Sequence, residues 1–152
     1  MKKLLKVNEA LVSTDLALLL LRVGIGSLML VHGIPKMQML ISGDIKFPGM
    51  FGMSPGFSLA LTVFAEVLCS VFIIFGAAIR FAVIPLITTM LVAVFIIHGS
   101  DPFAKKEMAV LYLLSYLVLL LAGSGKYSID QIVQRSSKPV DSEIKKQFSF
   151  QV

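Results

Sequence analysis

Arg22, His32 and Lys36 fall within one apolar run, residues 16–37, and Glu66 is the only charge in a second run. A guanidinium, an imidazole, an ammonium and a carboxylate set among leucines can pair with one another, exchange protons or hold a small polar ligand. His98 closes a third run, and Tyr112 and Tyr116 stand one helical turn apart in a fourth. In the ligand-binding reading, His32 or His98 donates to a carbonyl, Glu66 exchanges protons, and the two tyrosines line an apolar wall. In the competing reading Glu66 pairs with Arg22 or His32, fixes helix register and does no chemistry. His32, Met37, Met39 and His98 are a weak candidate set for a soft metal such as Cu(I). Their spacing matches no zinc motif, and no metal is assigned.

Long apolar helices must position these groups. A hydrocarbon core of about 30 Å needs about 20 apolar helical residues, and the spacing predicts helices over 16–37, 58–78, 80–98 and 102–122. In the first, Arg22, Gly26, Met29, Gly33 and Lys36 recur at three- and four-residue steps and share one face. Gly26 and Gly33 on that face permit close helix contact. Ser13, Thr14 and Asp15 offer N-cap chemistry before it, and Asp101-Pro102 offers the same before the fourth helix. The short link at residues 76–80 makes helices two and three an antiparallel hairpin. With the predicted helix centres aligned, Glu66 and His32 come to similar depth, and a long Arg22 side chain reaches towards Glu66.

Residues 38–57 form the longest loop, punctuated by Pro48-Gly49, Gly52 and Ser54-Pro55-Gly56. Its Phe and Met content predicts that it folds back on the helix ends or dips into the interface. Residues 1–13 read as a short interfacial helix or a disordered stretch. Ser128-Ile129-Asp130-Gln131 is a capping box for a short helix, within a polar tail, 126–152.

The chain has 152 residues, 57% of them hydrophobic and 15% charged. A soluble domain carries about 25% charged residues, so the balance points to one integral membrane domain. The net charge of +5 is spread around the apolar blocks, with no basic stripe to hold nucleic acid. Lys2, Lys3, Lys6, Arg80, Lys126, Arg135, Lys138, Lys145 and Lys146 outnumber Lys36, Lys46, Lys105 and Lys106 on the opposite side. The asymmetry predicts both termini in the cytoplasm. Cys69, the one cysteine, lies inside an apolar block and reads as a buried thiol.

Leu21-Arg22-Val23-Gly24 through Val31-His32-Gly33-Ile34-Pro35-Lys36 is similar to the arginine-to-histidine-glycine-lysine pattern of the DoxX family of small membrane proteins, and the ordered set of motifs that it opens resembles that family over about residues 16–131. Ala65-Glu66-Val67 with Phe75-Gly76-Ala77-Ala78-Ile79-Arg80 resembles its second-helix glutamate and closing turn. Gly123-Ser124-Gly125-Lys126-Tyr127-Ser128-Ile129-Asp130 is similar to its final glycine-x-glycine-basic-tyrosine-serine-x-aspartate stretch.

The resemblance implies an all-α, membrane-embedded antiparallel four-helix bundle, with short interfacial helices at the termini, in a bacterial inner membrane. It implies a link to membrane redox chemistry, and with the polar residues above it predicts a subunit of a membrane redox system with a quinone or small-ligand pocket in the outer half of the bundle. Such a subunit needs a protein partner or a second copy besides the bilayer. The alternative is a non-enzymatic scaffold or assembly factor for a partner protein. With only Cys69, a dithiol relay within one chain is not available.

Overall fold

The computed structural model describes residues 10–136, with side chains from residue 14. The segment before residue 10 and the tail beyond residue 136, for which an interfacial or disordered stretch and a polar tail are expected, lie outside the described residues. All regular structure among the described residues is helical. Helix α1 covers Ala10–Ser42, α2 Pro55–Phe75, α3 Ile79–Ile97, α4 Phe103–Ala122 and α5 Ile129–Ser136. Helices α1 to α4 pack in a ring, each touching the helix before it and the helix after it, with α4 closing back on α1.

Helix α1 is longer than its apolar run. It starts before Ser13-Thr14-Asp15 and passes through them, so these residues do not cap it. It also continues past Pro35, through the helix formers Met37, Gln38, Met39 and Leu40, to end at Ser42. A side-chain N-cap does form at α2. There Ser54 accepts the Phe57 N–H, and Pro55 follows at the first helical position. Asp101 does not cap α4. Pro102, which has no side-chain acceptor, holds the N-cap position, and the Asp101 carboxylate meets His98 instead.

The distribution of side chains is inverted relative to a soluble protein. Leu20, Phe81, Phe95 and Leu121 are exposed on the outside of the ring. Arg22, Glu66, Ser58, Ser70 and Ser128 are buried. Water rewards the opposite arrangement, and a hydrocarbon solvent rewards this one. Three helices, Thr14–Ser42, Pro55–Phe75 and Ile79–Ile97, are long and apolar enough to cross a membrane. The chain is a multi-pass membrane protein. Helix α4 is 20 residues long but carries Lys105, Lys106 and Glu107 in its first turns, which shortens its apolar stretch.

Small residues set the α1–α2 spacing. A Cβ at Gly33 would lie 2.8 Å from Val67 Cγ2 and 3.0 Å from the Glu66 backbone carbon, whereas one at Gly24 would meet nothing within 4 Å. Gly33→Ala is expected to cost about 1–3 kcal/mol by forcing the helices apart. Gly24→Ala is expected to stabilise by up to about 1 kcal/mol through helix propensity alone. Equilibrium unfolding of both variants in mixed micelles measures the contrast.

The loop expected at 38–57 is shorter, 43–54, because helices α1 and α2 extend into both of its ends, and it folds back on α2. Met50 N–H donates to Ser58 Oγ at 3.0 Å, and Met50, Phe51 and Met53 cover a groove on the α2–α3 face.

Candidate functional site

The candidate site is a cavity of about 170 Å³ in the half of the bundle that holds the 43–54 loop and the α3–α4 connection. Met29, His32 and Lys36 reach it from α1, at helical spacing, and Glu66 from α2. Met90, Ala93 and His98 come from α3, and Lys105, Met108, Ala109 and Tyr112 from α4. Both α2 and α3 widen into π-helical turns at this level, over Phe64–Cys69 and Ala93–Ile97. Such turns are rare and recur at functional sites. Glu66 lies in one and Ala93 opens the other, and both residues line the cavity.

Glu66 is 2% exposed. Its Oε1 accepts from Lys36 Nζ at 2.5 Å, while Oε2 is buried without a protein partner. The partner is therefore Lys36, and not Arg22 or His32 as the polar-clamp reading predicts. The reason is directional. A helical side chain leans towards the N-terminus of its own helix, and a lysine one turn beyond Gly33 leans back onto the residue that Gly33 faces. Gly33 faces Glu66, with a notional Cβ only 3.0 Å from Glu66 Cβ.

His32 stands at the rim, edge-on to Tyr112 with ring centres 5.8 Å apart. Tyr112 stacks on Tyr116 at 6.1 Å. Tyr116 is fully buried behind it, and its hydroxyl has no protein partner. At the mouth, His98 Nδ1 lies 2.8 Å from Asp101 Oδ2, and Lys105 Nζ lies 3.6 Å from Asp101 Oδ1. The His98 hydrogen bond, and then the Lys105 charge, hold the Asp101 carboxyl below the usual carboxylate range.

Arg22 belongs to a different place. It is fully buried at the other end of the bundle, where Nη2 donates to the Tyr127 carbonyl. Gly33 lies eleven residues further along α1, about 16 Å along the axis at 1.5 Å per residue. The two charges therefore serve separate clusters. The Arg22 cluster is a lock on the α2–α3 turn. Asp130 accepts from the N–H groups of Ala78, at 2.7 Å, and Ile79, at 3.3 Å, capping α3 from a distant part of the chain. Asp130 N–H in turn donates to the Gly76 carbonyl at 3.0 Å. Ser128 accepts the Gln131 N–H, as the capping box predicts. Asp15 accepts Lys126 N–H at 3.0 Å and pairs with its Nζ at 3.2 Å.

The structure thus brings His32, Lys36, Glu66, His98 and Tyr112 together, with Tyr116 immediately behind. It leaves Arg22 apart, and Met37 and Met39 outside the cavity wall. Sequence reasoning missed Met29, Met90, Lys105 and Met108. The signal was available on α4, where Lys105, Met108, Ala109 and Tyr112 share a helical face. Among the described residues, no group of three or more His, Cys, Asp or Glu side chains could hold a metal ion.

Two other cavities lack comparable chemistry. The α2–α3 groove, about 490 Å³, is apolar, and its Thr62, Thr88 and Thr89 hydroxyls are turned onto backbone carbonyls. The cleft at the opposite end, about 660 Å³, is lined by Asp15, Arg80, Lys126 and Asp130, whose two carboxylates are already committed to the lock.

Comparison with known proteins identifies the family. The sequence profile of the DoxX family matches residues 17–99, which contain α2, α3 and most of α1. The chain is 32% identical over 127 residues to a protein of Bacillus subtilis (strain 168) described as "Putative oxidoreductase CatD", covering 83% of this chain and 93% of that one. No solved structure matches the chain. A profile match over more than half of the sequence, joined to a relative aligned over nearly its whole length, shows that the chain belongs to the DoxX family.

Proposed function

We propose that this DoxX-family protein is a subunit of a membrane redox system, and that the Lys36–Glu66 cavity holds the ring of a quinone or a comparable small carbonyl compound. The observation that carries the reading is Glu66. A carboxylate at 2% exposure keeps one oxygen on Lys36 and the other without a protein partner, in the wall of a cavity. A buried polar atom of this kind is costly unless something completes it.

A volume of about 170 Å³ admits a single ring, since a comparable apolar cavity takes benzene. Met29, Met90 and Met108 supply soft apolar walls that adapt to a flat ligand. Lys36, His32, His98 and Tyr112 supply hydrogen-bond donors for its oxygens. Reduction of a quinone carbonyl pair consumes two protons with two electrons. The protein's own part is to orient the ring and present protons at Glu66 and the histidines. The electrons come from a redox partner in or at the membrane, in keeping with the oxidoreductase name of the Bacillus relative.

The same reading places the chain in a bacterial inner membrane with α4 as a fourth span and both termini cytoplasmic. The cavity then opens outwards, and the Arg22 lock lies on the inner side. The lysine and arginine asymmetry supports that orientation. The test is quinone binding to purified protein. Glu66→Gln and His32→Ala are expected to weaken binding by about tenfold or more while the bundle still folds, because each removes a charged or donating contact. Normal binding by both folded variants would place the ligand elsewhere.

A further inference from the structure

The cleft of about 660 Å³ at the Arg22 end lies where α3 starts and α4 ends, with α5 along its edge. Its two carboxylates are satisfied from within. Asp15 pairs with Lys126, and Asp130 accepts the Ala78 and Ile79 N–H groups, with Arg22 in coulombic reach. Arg80 lines the same cleft, is exposed, and pairs with no carboxylate among the described residues. Lys126, Arg22 and Arg80 therefore stand against two carboxylates, and the surplus positive charge is at Arg80.

Helix α5 sets the depth of this cleft. Ile129, Ile132 and Val133 recur at three- and four-residue steps and are exposed, while Asp130 is held at the start of α3. Gln131 and Gln134 line the cleft. An amphipathic helix pinned to the end of a membrane bundle beds its apolar side at the boundary between headgroups and acyl chains. Phe81, in the cleft wall, and Leu121, beside the wall residue Ala122, are exposed apolar side chains. The cleft thus joins a cation and polar groups to apolar surface, as the two halves of an amphiphile require.

We propose that this cleft binds an anionic phospholipid with an uncharged polar head, of the phosphatidylglycerol type, with its phosphate on the Arg80 guanidinium and its head among Ser124, Gln131 and Gln134. The planar guanidinium fork matches phosphate oxygens and stays charged at every working pH. Glycerol hydroxyls exchange hydrogen bonds with one serine hydroxyl and two side-chain amides. A zwitterionic head would bring an ammonium into a cleft whose carboxylates are already taken, and would cancel the charge that Arg80 attracts. Phe81 and Leu121 supply apolar surface for the acyl chains. A free phosphate offers the same charge and nothing for that surface. The site is separate from the Lys36–Glu66 cavity and stands whatever molecule that cavity binds.

The test is lipid competition on the full chain in mixed micelles. Phosphatidylglycerol and phosphatidylethanolamine with the same acyl chains are added in equal amounts, and native mass spectrometry identifies the retained lipid by its mass. Wild-type protein is expected to prefer phosphatidylglycerol by about tenfold, the scale of one charge-assisted contact. Arg80→Gln is expected to lose that preference. Arg135→Gln removes an exposed cation of α5 that does not line the cleft, and is expected to keep it. No preference in the wild type, a preference that survives Arg80→Gln, or an equal loss in Arg135→Gln overturns the proposal. Inorganic phosphate separates the two sources of the anion. Added in large excess, it is expected to leave the lipid bound, and displacement would show a site for free phosphate instead. The wild-type comparison and the phosphate competition decide the matter even if Arg80→Gln does not fold.

Discussion

Lys36→Met is expected to destabilise the protein by about 3–5 kcal/mol, and Glu66→Gln by less than about 1 kcal/mol, although each breaks the same ion pair. The asymmetry follows from burial. Glu66 is 3% exposed at its side chain and Lys36 is 30% exposed. Without Lys36, the carboxylate stays in the bundle with neither oxygen satisfied, and a buried charge lacking its partner is among the most destabilising defects known. Without Glu66, the lysine still reaches the polar rim by straightening its flexible stem. The double variant Lys36→Met/Glu66→Gln is expected to recover most of the loss, because no buried charge remains. Equilibrium unfolding of the three variants in mixed micelles checks the order. Equal losses from the two single changes would mean that Glu66 has another route to solvent or to a counter-charge.

Gly76→Ala is expected to cost about 3 kcal/mol or more, by combining backbone strain with overpacking. Gly76 ends α2 with φ +71°, in the left-handed region that favours glycine. A Cβ there would collide with Arg22 Nη1 and sit 2.6 Å from Ser128 Cβ. Neither neighbour can yield. Arg22 is fully buried and tied to the Tyr127 carbonyl, and Ser128 anchors the capping box. The substitution should release the segment from Gly123 to α5 as well as lower stability. Hydrogen exchange supplies the second readout. The Ala78 and Ile79 amides, held by Asp130, are expected to lose protection in Gly76→Ala while the Lys36–Glu66 region keeps it.

The helices were legible in the sequence because the bilayer imposes their length and because Gly76 and Pro102 punctuate them, whereas the start at Ser54-Pro55 was read as loop. The shared face of α1 was legible from spacing alone, and Gly26 and Gly33 do lie against α2. The partners of the two buried charges were not. Glu66 is met by a lysine whose side chain runs back along its own helix. Spacing places the lysine Cα a turn too far away for the pair to be obvious. Arg22 is met by a backbone carbonyl, Tyr127, which has no residue-type signature at all. Aligned helix centres suggested that Arg22 could reach Glu66, but α1 and α2 pack with Gly33 opposite Glu66, a register set by side-chain volume across the interface. The π-helical turns at Phe64–Cys69 and Ala93–Ile97 leave no mark in local propensity. The closing Gly123-to-Asp130 stretch, visible beforehand only as a resemblance, has a physical reason in the structure. It carries the carbonyl for Arg22 and the carboxylate that caps α3.

Native mass spectrometry of the protein, gently extracted from its own membrane, tests the cavity reading most directly. The expected spectrum carries an added mass equal to a quinone, absent from Glu66→Gln protein prepared in the same way. A spectrum with no small-molecule mass, and with a tightly held partner protein instead, would contradict the ligand-binding role. Lys36 and Glu66 would then be a structural pair that sets the register of α1 on α2.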